Sequence, residues 1–158
     1  MIRIKYIFVF LIVASTSCFS QTTFTNLDSL LSKNFDAINK RDSVSYLALI
    51  NQSAVFNGKK AKNKSDSLII LQHFTDAFND LITNLADMTS GADFSVNYSD
   101  YEMIHKGQKI PENGTMRIHA NMIVNNTFSL KMPMAIVVRN GQFSLESPMT
   151  VMFLEGKE

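Results

Sequence analysis

The sequence predicts an α+β fold, with helices in the first half of the chain and a mostly antiparallel sheet in the second. Apolar residues recur at helical spacing between residues 27 and 88, whereas apolar and polar residues alternate from about residue 94 onward. Asn140-Gly141, between two alternating segments, is a strong signal for a two-residue hairpin turn. We therefore expect three N-terminal helices packed on a strongly curved, mostly antiparallel sheet.

Residues 1–20 have the pattern of a signal peptide. Arg3 and Lys5 precede an uncharged, mostly apolar run at 6–14, and small residues follow at Cys18 and Ser20. The apolar run is shorter than the roughly 20 residues that span a membrane. We predict cleavage after Ser20, which leaves residues 21–158 as a single domain exported to the periplasm or outside the cell.

Cys18 admits a second interpretation, as the acylated residue of a lipid anchor. Polar residues precede it where Leu is usual three positions ahead, so we favour plain export. Cleavage after Ser20 removes the chain's single cysteine, which excludes disulfides, cysteine zinc sites and thiol nucleophiles. A formal net charge of +1 gives no reason to expect a nucleic-acid partner.

Two helices are expected before residue 51. The first spans about 27–40, with Thr25 or Asn26 as its cap and an apolar stripe at helical spacing. The second is shorter and follows a new cap at Asp42.

The third predicted helix is the longest, from about 67 to 88, with Ser65 or Asp66 as its cap. Leu68 begins an apolar stripe that continues along one face. The opposite face carries four polar side chains, which we interpret as solvent-exposed and not as a metal or acid–base cluster: His73, Asp76, Asp80 and Asp87.

Four strands are predicted after the helices, at about 94–105, 116–124, 128–139 and 142–154. The loop between the second and third predicted strands can be placed in two ways. A two-residue loop at Asn125-Asn126 would place polar side chains beside apolar ones on the next strand. A three-residue loop pairs Val124 with Phe128 and builds one continuous apolar face, so we choose it.

The hairpin at Asn140-Gly141 pairs Val138 with Phe143. Extended along both strands, this register sets Pro133 opposite Pro148. We expect a bend, a bulge or a slip of register there, because proline donates no ladder hydrogen bond.

The predicted register separates two faces of the sheet. The inward face of the last three strands is apolar except for Ser147, and with the helices it supplies these candidate pocket residues: Tyr46, Phe78, Met122, Met132, Met134, Ser147 and Met149. The outer face mixes polar residues with apolar ones, and we expect a homodimer through the apolar members Ile123, Val137, Met152 and Leu154.

The order of elements carries a resemblance to a known family. A helix, a tight joint at 40–42, a short helix, a Val-Phe-Asn-Gly segment, a long helix and an antiparallel meander follow one another, and FDAINKRDSVSYL at 35–47 shows the likeness best. The chain resembles the nuclear transport factor two-like superfamily, also called ketosteroid-isomerase-like, over most of residues 21–158. The resemblance implies a cone-shaped, cystatin-like fold that often encloses an apolar pocket and often dimerises through its sheet.

Three functions are open from the sequence. The leading hypothesis is a non-enzymatic binding or interaction domain, without metal or cofactor, that holds a small apolar molecule in the cone. The second is an isomerase- or dehydratase-like enzyme in which Tyr98 and Asp100 share the pocket and the carboxylate acts as general base. The third is a structural subunit of an envelope assembly.

Asp-Ser followed by an apolar residue occurs at Ser29, Ser43 and Ser67. The pattern resembles an O-glycosylation acceptor that some bacteria use on exported proteins. Each occurrence also begins a predicted helix, so we favour helix capping as its role.

Overall fold

The computed structural model describes residues 22–51, 64–91, 93–105 and 107–149 of the chain. In chain order its elements are α1 (Leu27–Asn39), α2 (Ser43–Ala48), α3 (Lys64–Met88), β1 (Val96–Met103), β2 (Asn113–Val124), β3 (Phe128–Arg139) and β4 (Gln142–Leu145). The described strands form one antiparallel sheet in the order β1-β2-β3-β4. The α+β class is confirmed. The sheet is open and not a barrel, because β1 and β4 do not pair.

α1 begins and ends as its sequence dictates. The Asn26 side chain accepts the backbone N–H of Ser29 at 3.3 Å, which confirms the predicted cap. After the last turn, Arg41 adopts a left-handed conformation with φ of 52°. The Asp42 N–H then donates to the Ala37 carbonyl at 2.9 Å, which closes the helix.

α2 starts at the predicted cap. The carboxylate of Asp42 accepts the Ser45 hydroxyl at 2.6 Å and the Ser45 backbone N–H at 3.0 Å. These two hydrogen bonds, the hydroxyl first, lower the pKa of Asp42.

α3 begins at Lys64, earlier than predicted, so the expected caps Ser65 and Asp66 are wrong because both residues lie inside the helix. Leu68 is also wrongly placed on the core stripe and is 58% exposed, because the buried stripe begins only at Phe74. The four polar residues of the opposite face, His73, Asp76, Asp80 and Asp87, are exposed as predicted.

The long hairpin of β2 and β3 has the predicted register. Val124 pairs with Phe128 across the three-residue turn at 125–127, and the pairing continues through Ile118 with Met134. Asn125 and Asn126 in the turn have φ of 49° and 54°, a conformation that asparagine tolerates better than most residues.

The second hairpin confirms the turn at Asn140-Gly141, since Val138 pairs with Phe143. The predicted extension of β4 to 154 is wrong over the described residues, because pairing stops at Leu145 and the Glu146 N–H makes the last bond, to the Ala135 carbonyl at 2.9 Å. The chain leaves the sheet just before Pro148, which has no N–H for a ladder.

Both edges of the sheet are occupied by other parts of the chain. Phe24 exchanges two backbone hydrogen bonds with Phe143 of β4, and the Asn51 N–H donates to the Leu145 carbonyl at 2.7 Å. At the β1 edge, the Asn39 side chain accepts the Val96 N–H at 2.7 Å and donates to its carbonyl at 2.6 Å. The sheet edges are thereby partly protected from pairing with another chain.

One apolar core joins the three helices to the inner face of the sheet. The inward residues of β2 alternate strictly with half-buried or exposed ones along the strand. Along β2 and β3 the core therefore lies on one face, and the other face carries polar and mixed side chains.

Candidate functional site

Six of the seven predicted pocket residues lie in the core: Tyr46, Phe78, Met122, Met132, Met134 and Met149, none more than 5% exposed. The inward placement of Ser147 is wrong. Ser147 is exposed, because β4 ends two residues earlier and the chain turns out of the sheet there.

Tyr46 anchors the segment that follows β4. Its hydroxyl accepts the backbone N–H of Met149 at 2.7 Å, and its ring lies 4.6 Å from that of Phe78. Burial raises the pKa of Tyr46 well above its ordinary value. The phenol is therefore neutral and serves as a buried hydrogen-bonding group.

Asn34 lies beside Met149 and is completely buried. Its amide N–H donates to the Met149 sulfur at 2.9 Å. Among the described residues, its side-chain oxygen has no hydrogen-bond partner. A buried orphan acceptor is costly and uncommon, so this oxygen marks a polar point inside an apolar region.

A bulge in β1 separates Tyr98 from Asp100. Tyr98 pairs with Met122 and Asp100 with Asn121, so one extra residue stands between two positions that face consecutive residues of β2. The prediction that Tyr98 and Asp100 alternate onto the same face is therefore wrong. Tyr98 lies on the inner face and Asp100 on the outer face.

Tyr98 instead contacts Asp28, from the first turn of α1. Its hydroxyl donates to Asp28 Oδ1 at 2.5 Å, and its ring stacks on Phe35 with centroids 5.8 Å apart. Partial burial, and then the hydrogen bond and charge of Asp28, raise the pKa of Tyr98. The phenol is thus held as a donor that joins α1 to β1.

The outer face carries a cluster of charges around Glu102. Its carboxylate accepts from Lys131 Nζ at 2.5 Å and lies 3.6 Å from His119 Nδ1. The Lys131 hydrogen bond and charge lower the pKa of Glu102. Nearby, Asp100 accepts a hydrogen bond from the side-chain amide of Asn121.

A groove of about 320 Å³ lies at the end of the outer face where β4 stops. We call it the Arg117 groove, and its lining side chains are His105, Gln108, Thr115, Arg117 and Glu146. The turn carrying His105 and Gln108 is joined to β2 by the Ile104 N–H, which donates to the Arg117 carbonyl at 3.3 Å.

A second cleft, of about 350 Å³, lies between residues 22–24, α1 and α2. Its rim includes the charged side chains of Lys33, Lys40 and Asp36. Asp36 already lies 3.7 Å from Lys33, and none of the predicted pocket residues lines this cleft.

Two of the four residues expected to form a dimer interface lie within the part of the chain that the structure describes. Ile123 and Val137 lie on the outer face and are half-buried. Met152 and Leu154 lie outside the described residues. Ser144, which pairs with Val137 on the same face, is buried, so the outer face is not open along its whole width.

The three Asp-Ser positions differ in the structure. Ser29 is exposed and Ser43 is half-buried, while the side chain of Ser67 lies outside those described. Asp42 caps α2 as the capping interpretation predicts. α1 is capped by Asn26 and not by Asp28.

The part of the chain that the structure describes holds no group of three or more His, Cys, Asp or Glu placed to share a metal ion. Within residues 22–51, 64–91, 93–105 and 107–149, no helix is long and apolar enough to cross a membrane.

No protein-family model, no curated protein and no solved structure matches the chain. The resemblance to the nuclear transport factor two-like superfamily therefore stays a prediction from the layout of the sequence.

Three residues with specific contacts were not predicted from the sequence. Asn34 could have been found, because it interrupts the buried stripe of α1 between Leu30 and Ile38. Asp28 and Asn39 gave no such signal, since their partners are about 60 or 70 residues away in the chain.

Proposed function

We propose that the chain is an exported interaction domain that binds a second copy of itself through the outer face of its sheet. The observation that supports this most is the contrast between the two faces. The inner face is sealed against the helices, whereas the outer face keeps ion-paired, polar and half-buried aliphatic side chains within reach of a partner. Export rests on the signal-peptide pattern of residues 1–20.

The charge of the outer face suits a second copy. Among the described residues, its acidic members are Asp100, Glu102 and Glu146, and its basic members are Arg117, Lys131 and Arg139. A face that balances its own charges can meet an identical face without net repulsion. A strongly charged partner would gain little from it.

Pairing between strand edges is a less favourable route to a dimer. Phe24 and Asn51 already bond the outer edge of β4, and Asn39 bonds both backbone groups of Val96 at the β1 edge. The bulge in β1 further disrupts a regular edge. These features favour contact through the face of the sheet.

The enzyme alternative receives no support from the arrangement of its residues. Tyr98 and Asp100 lie on opposite faces, and neither lines either of the two clefts described above. Tyr98 is also engaged by Asp28, at 2.5 Å. A shared proton-transfer site would need both groups in one cavity.

The test is the association state of residues 21–158 in solution, with two matched variants. Ile123→Asp places a charge on the outer face, and Ile69→Asp makes the same change on an exposed position of α3. We expect a concentration-dependent dimer for the wild type and for Ile69→Asp by light scattering, and a monomer for Ile123→Asp.

Far-UV circular dichroism of the three proteins must be the same for the comparison to hold. A wild-type chain that stays monomeric at its highest soluble concentration contradicts the proposal. So does an Ile123→Asp variant that dimerises as well as the wild type.

A second candidate function, an interior site for a small, largely apolar molecule that carries one hydrogen-bond donor, is favoured by one observation. Asn34 presents a buried oxygen without a partner among the described residues, beside the flexible side chain of Met149. Native mass spectrometry of the protein from its own host's exported fraction tests it. The site predicts an added small mass that is lost in Asn34→Leu, and an unliganded wild-type mass contradicts it.

A further inference from the structure

The side chain of Glu146 crosses the outer face of β3 and enters the Arg117 groove from the β4 side. Its backbone N–H donates to the Ala135 carbonyl at 2.9 Å, and its carboxylate accepts the hydroxyl of Thr115, on β2, at 3.4 Å. Thr115 and Arg117 are two residues apart on the same face of β2, a distance of about 7 Å along the strand. A carboxylate and a guanidinium therefore line the same groove.

The turn after β1 supplies the other described side chains of the groove, His105 and Gln108. The Gln108 N–H donates to the His105 carbonyl at 3.0 Å, which closes the turn. The Ile104 N–H donates to the Arg117 carbonyl at 3.3 Å and so holds the turn against β2. An imidazole and a carboxamide are thereby positioned beside the two charges.

The two charges of the groove are not neutralised by their neighbours. Among the described residues, no ion pair involves Arg117 or Glu146. Glu102, on the neighbouring strand β1, is already engaged by Lys131 at 2.5 Å. The hydroxyl that Glu146 accepts from Thr115 is neutral, and the hydrogen bond is long. Both charges are therefore available to a ligand.

Opposite charges in one groove match a small zwitterion. A guanidinium binds a carboxylate through two parallel hydrogen bonds, and a carboxylate accepts charge-assisted hydrogen bonds from an ammonium group. A simple anion would be repelled by Glu146, and a simple amine would be repelled by Arg117. The groove of about 320 Å³ is at the lower end of the range for small-molecule sites, which limits the ligand to a small molecule.

We propose that the Arg117 groove binds a free α-amino acid with a small or neutral polar side chain. The carboxylate of the ligand lies on Arg117, and its ammonium group lies on Glu146. The Gln108 amide and the Thr115 hydroxyl supply neutral donors and acceptors for the remaining hydrogen bonds. The site goes beyond the proposed function, because each copy of the chain carries all of these residues.

The experiment is an NMR titration of residues 21–158 with L-alanine and L-glutamine. We expect saturable shifts of backbone amide signals that are confined to the groove. Acetate and ethylammonium each carry one of the two charges of the ligand. They are expected to bind at least about 10-fold more weakly, because each forms half of the charge-assisted contacts. This comparison uses the wild type alone and so does not depend on the folding of a variant.

Two neutral variants test the orientation of the ligand. Arg117→Gln and Glu146→Gln are each expected to raise the dissociation constant of L-alanine by at least about 10-fold. Glu146→Gln is expected to strengthen acetate binding, and Arg117→Gln to strengthen ethylammonium binding, because each removes a like charge. Lys33→Gln and Asp80→Asn are the controls. They remove the same charges from exposed helix positions and are expected to bind as the wild type does.

Each outcome decides the inference. If neither amino acid gives a saturable shift, Arg117 and Glu146 serve only each other, and the inference is wrong. It is also wrong if acetate binds as tightly as L-alanine, since the groove is then a simple anion site. The Ile123→Asp variant separates this inference from the proposed function, because it is expected to bind L-alanine as the wild type does. A monomeric wild type that binds L-alanine overturns the homodimer and leaves this site standing.

Discussion

The two faces of the sheet differ more than any two elements of the fold. On β2, Met122 is fully buried in the core, while its neighbour Ile123 is half-buried on the outer face. Around Met122 lie apolar side chains from helices and strands alike, whereas the outer face carries the ion pairs of Glu102. The inner face contributes stability, and the outer face is the one we propose for recognition.

The largest effect is expected when the same charge is placed on each face of the sheet in turn. Met122→Asp buries an unpaired carboxylate, which costs about 3–5 kcal/mol where such charges have been measured. That is a large part of the roughly 5–15 kcal/mol that holds a domain of this size together. At a protein concentration low enough for the wild type to be monomeric, we expect Met122→Asp to be unfolded or nearly so, and Ile123→Asp to keep a cooperative thermal transition close to that of the wild type.

The unfolding temperature of each variant is measured by circular dichroism in the same buffer. Met122→Leu is the control, because it keeps an apolar side chain of similar volume. A stable, cooperative Met122→Asp protein would mean that the inner face is accessible to water. The division between the two faces would then be wrong.

A smaller effect is expected at Tyr46, where the inner face meets the segment after β4. Tyr46→Phe removes the acceptor of the buried Met149 N–H and is expected to cost about 1–3 kcal/mol. Urea unfolding of the two proteins near neutral pH gives the difference. Tyr98→Phe, at a half-buried position, is the comparison variant and is expected to cost less.

Tyr46 also predicts how the stability of the protein changes with pH. Burial raises the pKa of Tyr46 in the folded state, so the unfolded chain ionises first, near the ordinary value of about 10. The stability that depends on a neutral Tyr46 is complete below that pH and is lost as the pH rises above it. The free energy of unfolding of the wild type exceeds that of Tyr46→Phe, and this difference is therefore expected to decrease above pH about 10. A difference in the free energy of unfolding that increases above that pH would contradict the conclusion that Tyr46 is neutral in the folded state.

Much of the sheet could be predicted because one choice of loop made a continuous apolar face. Pairing Val124 with Phe128 fixed every other pair of the β2–β3 hairpin, since side chains alternate with a period of two. Where the period breaks, prediction failed. The bulge near Tyr98 and the end of β4 after Leu145 each move later residues to a different place.

Side-chain contacts between distant residues were the other source of error. Asn39 holds Val96 by two hydrogen bonds, and Asp28 holds Tyr98, although nothing in the spacing of these residues indicates either contact. An asparagine at the end of a helix is ordinary in sequence, and its distant partner is defined only once the helix and the strand are packed. The register predicted which residues of β2 and β3 lie on the outer face, but the sequence did not predict the groove at the end of that face.

The smallest predicted effect tests the outer face directly. Lys131→Gln removes the hydrogen bond and charge that chiefly hold the pKa of Glu102 below its ordinary range. We expect the pKa of Glu102 to rise toward its ordinary value, as measured by carboxyl NMR titration. Because the pKa is lowered in the folded state, the contribution of Glu102 exists above its ordinary pKa and fades as the pH falls.

This ion pair is exposed, so its loss is expected to leave the unfolding temperature unchanged within error at neutral pH. His119→Gln, which removes the more distant neighbour at 3.6 Å, is the matched variant and should shift the pKa less. An unfolding temperature that falls as far with Lys131→Gln as with Tyr46→Phe would show that the outer face also carries stability. Charges that shift a pKa without changing the unfolding temperature can contribute to the choice of a partner without lowering the stability of the fold.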